Sequence, residues 1–441
     1  MKRKALIVTV LSIICFVTLM TVCFRSAGGY FGYFFWQDEA DTGMDFYNSL
    51  AETAGGDPYG TFHTVYPPFS NALFYTMQTM VPSDVKDSWP RYHEGIVALR
   101  RTQDDLRTVQ STDVQFLFCT VLYVFLSSSV IIWKFRKNVM AGIGLAFAAL
   151  VSYGSLTAIE RGNIIALTMV LTMIFIFGYD SPLRSIRILS CCSLVAASAI
   201  KLYPAVYFLL MLDGKKRRSS LALYTVCSVE LGAILSITPL LLFGGLRDLG
   251  LFLKILTGFN SAGGNDAFYY RYGMRGIAEH ISMSPRLHSL LLISDPVLLY
   301  RFMLAVSSAV LLYAALKHMR AGDDPCEAAF DLTVLMILVQ TQSSDYTLCF
   351  FVPVLMLMVY DRHPLNTRTI PYFIMLLVFT LPYVTSPIRD ETNMVLHHVD
   401  IIQFTLLCAV AYEFMAYIAL PAVHVMRLLL SRLFFHPHRF A

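Results

Sequence analysis

Residues 5–24 form an unbroken apolar run behind Met1-Lys2-Arg3-Lys4, long enough at about 1.5 Å per residue to cross a hydrocarbon core of about 30 Å. Further apolar segments recur at 114–133, 139–159, 164–178, 188–200, 202–212, 221–243, 297–316, 327–341, 346–360, 370–385 and 400–420. The pattern predicts about twelve helical segments. Segments 188–200 and 202–212 are too short to span alone and read as a hairpin or broken helix, whose irregular backbone neighbouring helices must shield. The first run reads as a retained anchor, because the apolar part of a cleaved leader is about 7 to 15 residues long and no clear small-residue cleavage site follows Cys23.

Polar connectors sort by charge. With Lys2-Arg3-Lys4 placed in the cytoplasm, alternation puts the short basic connectors 134–137, 184–187, 215–218, 317–320 and 362–368 and the C-terminal tail on that same side, as the positive-inside rule expects. The other face receives two long connectors, 25–113 and 244–296, and most of the 30 acidic residues. The expected architecture is therefore one all-α polytopic membrane domain over 1–441, with about 10–12 transmembrane helices and long extracytoplasmic loops carrying short helices. The N-terminus is expected to be cytoplasmic.

Composition agrees. The chain has 441 residues, of which 56% are apolar and 15% charged, against roughly 25% charged in soluble domains; its mean hydropathy is +0.59. A net charge of +4 with few basic residues leaves no nucleic-acid footprint. Eight of the nine cysteines fall in or beside apolar runs and read as small core residues. Neither a metal knuckle nor a disulfide framework is readable, and the histidines do not recur with metal-ligand spacing. Asp-x-Asp nucleotide-sugar motifs and phosphate-binding Gly loops are absent as well.

Candidate chemistry concentrates in the first outer loop. Asp38, Glu39 and Asp41 read as solvated surface charges, but Asp45 precedes Phe46-Tyr47 and the apolar positions Leu50 and Ala51. That pattern places its carboxylate at the start of a packed helix, where the helix dipole favours it. Gly55-Gly56-Asp57-Pro58-Tyr59 and Val65-Tyr66-Pro67-Pro68 predict rigid turns. Residues 69–82 suit a short interfacial helix. Arg161 and Lys201 are ionisable groups where short apolar segments meet, hence candidates for function. Glu230, Asp331 and Glu413 read as interhelical hydrogen-bond partners.

Asp45-Phe46-Tyr47, Asp57-Pro58-Tyr59 and Tyr66-Pro67-Pro68 together resemble the first extracytoplasmic loop of glycosyltransferase family 87, bacterial membrane enzymes of the GT-C superfamily that include mycobacterial polyprenol-phosphate-mannose-dependent mannosyltransferases. Glu160-Arg161-Gly162-Asn163 and Lys201-Leu202-Tyr203-Pro204 are similar to two further elements of that family. In two places the chain departs from the pattern: Arg161-Gly162 stands where Gly-Gln is common, and the second long loop offers only a loose Asn260-Ser261 or Asn265-Asp266.

The resemblance implies transfer of a hexose, mannose by family analogy, from a polyprenyl-phosphate donor to a lipid or glycan hydroxyl at the outer face of a bacterial plasma membrane, with inversion. Asp45 matches the family's catalytic aspartate and would act as general base. Arg161 and Lys201, with Arg271 and Arg275 behind them, would hold the donor phosphate. Tyr47, Tyr59, His63, Tyr66, Glu160, Asn163, Tyr203 and Asp345 would line the sugar and acceptor positions. No cofactor or metal is expected, because basic side chains can neutralise a monophosphate. A flippase or transporter of lipid-linked saccharides and a polysaccharide polymerase stay open as alternatives.

Overall fold

A computed structural model describes residues 2–26, 43–53, 56–81, 110–212, 218–261, 272–283, 295–321, 325–340, 343–361, 364–382 and 398–426. Of these 84% are helical, with no strand among the described residues. The chain begins with α1 (Lys2–Ser26), followed in the first long connector by α2 (Met44–Thr53) and α3 (Pro68–Gln78). Next come α4 (Gln110–Lys134), α5 (Val139–Leu150), α6 (Tyr153–Glu160), α7 (Ile165–Gly178) and α8 (Arg184–Ile200). A 3-10 stretch, Tyr203–Leu212, leads to α9 (Arg218–Ile237), α10 (Leu246–Ser261) and α11 (Met274–Met283). The C-terminal third holds α12 (Pro296–Ala321), α13 (Pro325–Val339), the 3-10 turn Asp345–Phe350, α14 (Phe351–Tyr360), α15 (Thr369–Thr380) and α16 (His398–Phe414), which runs on into a π turn, Met415–Ala419.

Among the described residues, four helices are long and apolar enough to cross a membrane, and six if each of two bent pairs counts as one span. The bent pairs are α5 with α6, at 58°, and the end of α9 with α10, at 108°. Several of the twelve expected segments are thus shorter helices, such as α7 with 14 residues, which at about 1.5 Å per residue covers roughly 21 Å. Local chemistry explains the breaks. The residue before a proline is disfavoured in helical conformation, and Tyr203-Pro204 follows Lys201, whose backbone is extended at φ −139° and ψ 129°. Segment 184–212 is accordingly a broken helix.

Lipid-facing and core-facing residues separate cleanly. On α4, Val114, Leu117, Phe118, Val121 and Phe125 are exposed at helical spacing, as lipid contact requires. Conversely, α13 is buried at every position from Cys326 to Leu338, so it is the central helix. Next to it, Phe351 stacks on Phe379 with ring centroids 4.0 Å apart. Close helix approach is also built in at Gly154, where a Cβ would collide with the Leu348–Cys349 backbone. This contact brings α6 against the Asp345–Phe350 turn and fixes the floor of the site described next.

Candidate functional site

The turn after α6 and the start of α2 hold each other by their backbones. Gly43 donates its N–H to the Glu160 carbonyl at 2.7 Å, and the Asp45 N–H donates to the Arg161 carbonyl at 3.1 Å. Gly162 makes the turn possible: its φ is +63°, and a Cβ there would lie 2.7 Å from both the Phe46 Cβ and the Phe116 ring. A residue with a side chain is strained in that conformation. Asn163 then locks the next helix, its Oδ1 accepting from the Ile165 N–H at 2.9 Å. That bond leaves the amide Nδ2 aimed at the start of α2.

Three groups converge there. Arg161 donates through Nε to Asp45 Oδ2 at 3.1 Å and through Nη2 to Asp45 Oδ1 at 2.9 Å, a two-pronged ion pair. Asn163 Nδ2 donates to Asp45 Oδ2 at 2.7 Å. Asp45 also sits in the first turn of α2, where the helix dipole favours negative charge. Burial pushes its carboxyl towards the protonated form, but the Arg161 charge and the Arg161 and Asn163 hydrogen bonds outweigh it and hold Asp45 below the usual carboxylate range. The Asp45 side chain is 16% exposed and that of Arg161 31%, so the pair stays partly open to its surroundings.

Lys201 stands beside this pair, its Nζ 3.9 Å from the centre of the Tyr66 ring. Such a cation over an aromatic face is worth about 0.5–2 kcal/mol depending on desolvation. Tyr66 is held in turn, its carbonyl accepting from the Tyr59 hydroxyl at 3.0 Å and from Asn71 Nδ2 at 3.3 Å. The Pro67-Pro68 step then starts α3, the helix expected along the membrane surface.

The model of glycosyltransferase family 87 matches residues 64–341. The chain belongs to that family. No curated protein and no solved structure matches the chain. As a family 87 member it is a glycosyltransferase. The matched stretch contains Tyr66, Arg161, Asn163 and Lys201 and begins after Asp45, so the place of Asp45 in this site rests on its contacts.

Other residues expected at the site of this family 87 chain have diverse surroundings. The Tyr47 hydroxyl donates to Asp113 Oδ1 at 2.7 Å and its ring stacks on Phe116, which fastens α2 to α4. Tyr59 is fully buried against Phe252. His63 is exposed with a positive φ of 54°, its Nδ1 3.0 Å from the Tyr59 carbonyl. Tyr203 packs edge-on to Phe350. Asp345 accepts from the Tyr272 hydroxyl, and the charge on Arg161 reaches it. Arg275 pairs with Glu279 one turn along α11 at 3.0 Å. Arg271 lies outside the described residues.

Two participants escape a reading of the sequence. Glu52, two turns after Asp45 on α2, is half-buried; burial pushes its carboxyl up to about 7, aided by the Asp45 charge and opposed by a Thr64 hydrogen bond and the Lys201 charge. Only its seven-residue spacing from Asp45 could have signalled it. His398 lies buried between Tyr153, on which it stacks at 3.6 Å, and the Tyr272 hydroxyl, 2.8 Å from its Nδ1. It backs Asp345 from 3.9 Å. A cleft of about 590 Å³ lies at the opposite end of α4, between Lys134, Phe177, Asp180 and Tyr360, and holds none of these groups.

Proposed function

We propose that this glycosyltransferase moves a hexose, mannose in the first instance, from a polyprenyl-phosphate donor to a hydroxyl of a lipid or glycan acceptor, with inversion, at the extracytoplasmic face of a bacterial plasma membrane. The observation that carries the proposal is the Asp45–Arg161–Asn163 cluster, a carboxylate of the first outer loop seated against a membrane-embedded turn with Lys201 beside it. The basic connectors support its sidedness, since alternation of the apolar segments assigns them to the other face.

In the reaction the acceptor oxygen attacks the anomeric carbon, the bond from that carbon to the phosphate oxygen breaks, and the acceptor proton passes to Asp45. Each carboxylate oxygen offers about two acceptor positions, and Asp45 Oδ1 accepts one bond from Arg161. The second position is available to the acceptor hydroxyl. Arg161 and Asn163 act on Asp45 by fixing its orientation and keeping it ionised. Lys201 is the leading candidate for the phosphate, because the Nε and Nη2 edge of Arg161 is already given to Asp45; a fixed cation stabilises the charge that develops on the leaving group. Tyr66 offers an aromatic face at the same place.

The test is sugar transfer by purified protein in lipid nanodiscs supplied with a polyprenyl-phosphate hexose. Asp45→Asn should lower the rate by about 10²-fold or more, the usual contribution of a positioned base, and Glu52→Gln by less. Unchanged turnover in Asp45→Asn would remove Asp45 as the base. Translocation of the donor across the bilayer without glycosyl transfer would overturn the proposal in favour of a flippase.

A further inference from the structure

A second polar cluster lies inside the bundle, at the other end of α13 from Asp345. His318 comes from the last turn of α12, Glu327 and Asp331 from successive turns of α13, and Glu413 from the end of α16, where the helix passes into the π turn. π turns in helices occur frequently at functional positions. Asp331, the innermost member, lies eight residues before the end of α13 at Val339, about 12 Å along the helix, with the Asp345 turn beyond it, so the cluster is set apart from the transfer site.

The contacts are arranged in two layers. Glu327 Oε2 lies 2.6 Å from His318 Nδ1 and accepts from Arg368 Nη2 at 2.9 Å. With Nδ1–H donated to Glu327, the other ring nitrogen, Nε2, presents its lone pair inward. It faces Asp331 Oδ2 and the Tyr372 hydroxyl, each at 3.4 Å, and Glu413 Oε2 at 3.7 Å. Glu413 is steadied from behind, its Oε1 accepting from the Tyr372 hydroxyl at 2.5 Å. Asp331 and Glu413 are fully buried, yet neither oxygen of Asp331 nor Oε2 of Glu413 has a hydrogen-bond partner. Leaving ionised carboxylates so placed costs several kcal/mol each.

We propose that His318, Asp331 and Glu413 bind one divalent transition-metal cation, of the zinc or manganese class, at a site separate from glycosyl transfer. One nitrogen and two carboxylate oxygens suit such ions. The spacing suits them too: ligands about 2.0–2.1 Å from a tetrahedral metal lie about 3.3 Å apart, and the three ligand atoms already lie within 4.8 Å of one another. The histidine that ligates through one nitrogen and donates the other N–H to a carboxylate is the usual outer-layer arrangement of metal sites, and Glu327 supplies it. Charge points the same way. Three carboxylates (Glu327, Asp331, Glu413) face one guanidinium (Arg368), and a divalent cation cancels the remaining two negative charges with His318 neutral.

The experiment uses full-length, untagged protein in detergent, equilibrated with buffered micromolar free Zn²⁺ or Mn²⁺ and then desalted. The expected result is about one equivalent of metal per chain by elemental analysis and a rise in thermal midpoint that a chelator reverses. Asp331→Asn and His318→Gln should each lose that equivalent, while Asp45→Asn retains it. Cobalt(II) added to wild-type protein should give a ligand-field absorption band that Zn²⁺ displaces, a readout that needs no variant to fold. Absence of bound metal and of any midpoint change in wild-type protein would overturn the proposal and leave Asp331 and Glu413 as a carboxyl pair sharing a proton. Binding that survives both substitutions would place the metal elsewhere and overturn it equally.

Discussion

Replacing Asp45 with Asn should move the titration of Glu52, seven residues further along α2. Seven residues at about 1.5 Å separate the two carboxylates by about 10 Å along the helix. At an effective dielectric constant of about 20, two unit charges at that distance interact by about 1.6 kcal/mol, a little over one pH unit. Removing the Asp45 charge eases ionisation of Glu52, and the Arg161 charge freed from its partner acts in the same direction. The Glu52 carboxyl, which burial lifts to about 7, should therefore titrate near 6 in Asp45→Asn. Infrared titration of the protonated-carboxyl stretch in nanodiscs reads this directly, with Glu52→Gln identifying the band. The sign for stability follows from the same numbers. The folded protein holds a proton that the unfolded chain releases around 4.5, so this stabilisation is complete below about 4.5 and is lost as the pH rises through about 7, a total of about 3 kcal/mol. Glu52→Gln should flatten that window. A band that stays near 7 in Asp45→Asn, or moves upward, would refute the placement of these two groups on one face of a dry site.

Three other outcomes follow from the geometry. Gly162→Ala should lower the thermal midpoint and weaken transfer, because φ of +63° and a Cβ 2.7 Å from Phe46 and Phe116 together cost about 1–3 kcal/mol; an unchanged midpoint would mean the turn is not as described. Lys201→Met should raise the KM for the polyprenyl-phosphate donor by about 10-fold or more, the value of a lost charge-assisted contact, with Lys201→Arg retaining most of it in a donor titration. Phe351→Ala should destabilise the protein by about 3–5 kcal/mol, since that ring is buried and stacked on Phe379, as scanning fluorimetry in detergent would show.

Much of the architecture is legible from one-dimensional patterns because lipid imposes them. Long apolar runs announce α1, α4, α12 and α16, and the Tyr203-Pro204 step announces the break after Lys201. The meeting of Asp45 with Arg161 and Asn163 is less direct: the sequence marks each as an unusual polar group near a segment boundary, but the bond between them spans 116 residues. The bond from the Tyr47 hydroxyl to Asp113, which fastens α2 to α4, joins residues 66 positions apart and has no local signal either. Glu52 stays hidden because an acidic residue on a short outer helix looks solvated until the packing of α2 against Thr64 and Lys201 is known. The His318 cluster is hidden for another reason. His318, Glu327 and Asp331 sit on consecutive helices, but Glu413 comes from α16, far along the chain, and no local spacing can encode a convergence of that kind.

The bond between Asp45 and Arg161 also orders events in time. During synthesis at about 5–20 residues per second, the 116 residues between them take roughly ten seconds to appear. On the proposed sidedness, the first long connector has by then crossed the membrane while α5 and α6, which carry its anchor, have yet to be made. The carboxylate must wait in water for a partner that arrives only when the bent α5–α6 pair enters the bilayer. Mispositioning that pair would therefore leave a fully translated chain whose first loop never docks, a defect visible as protease sensitivity near residue 45 and not as a loss of membrane insertion.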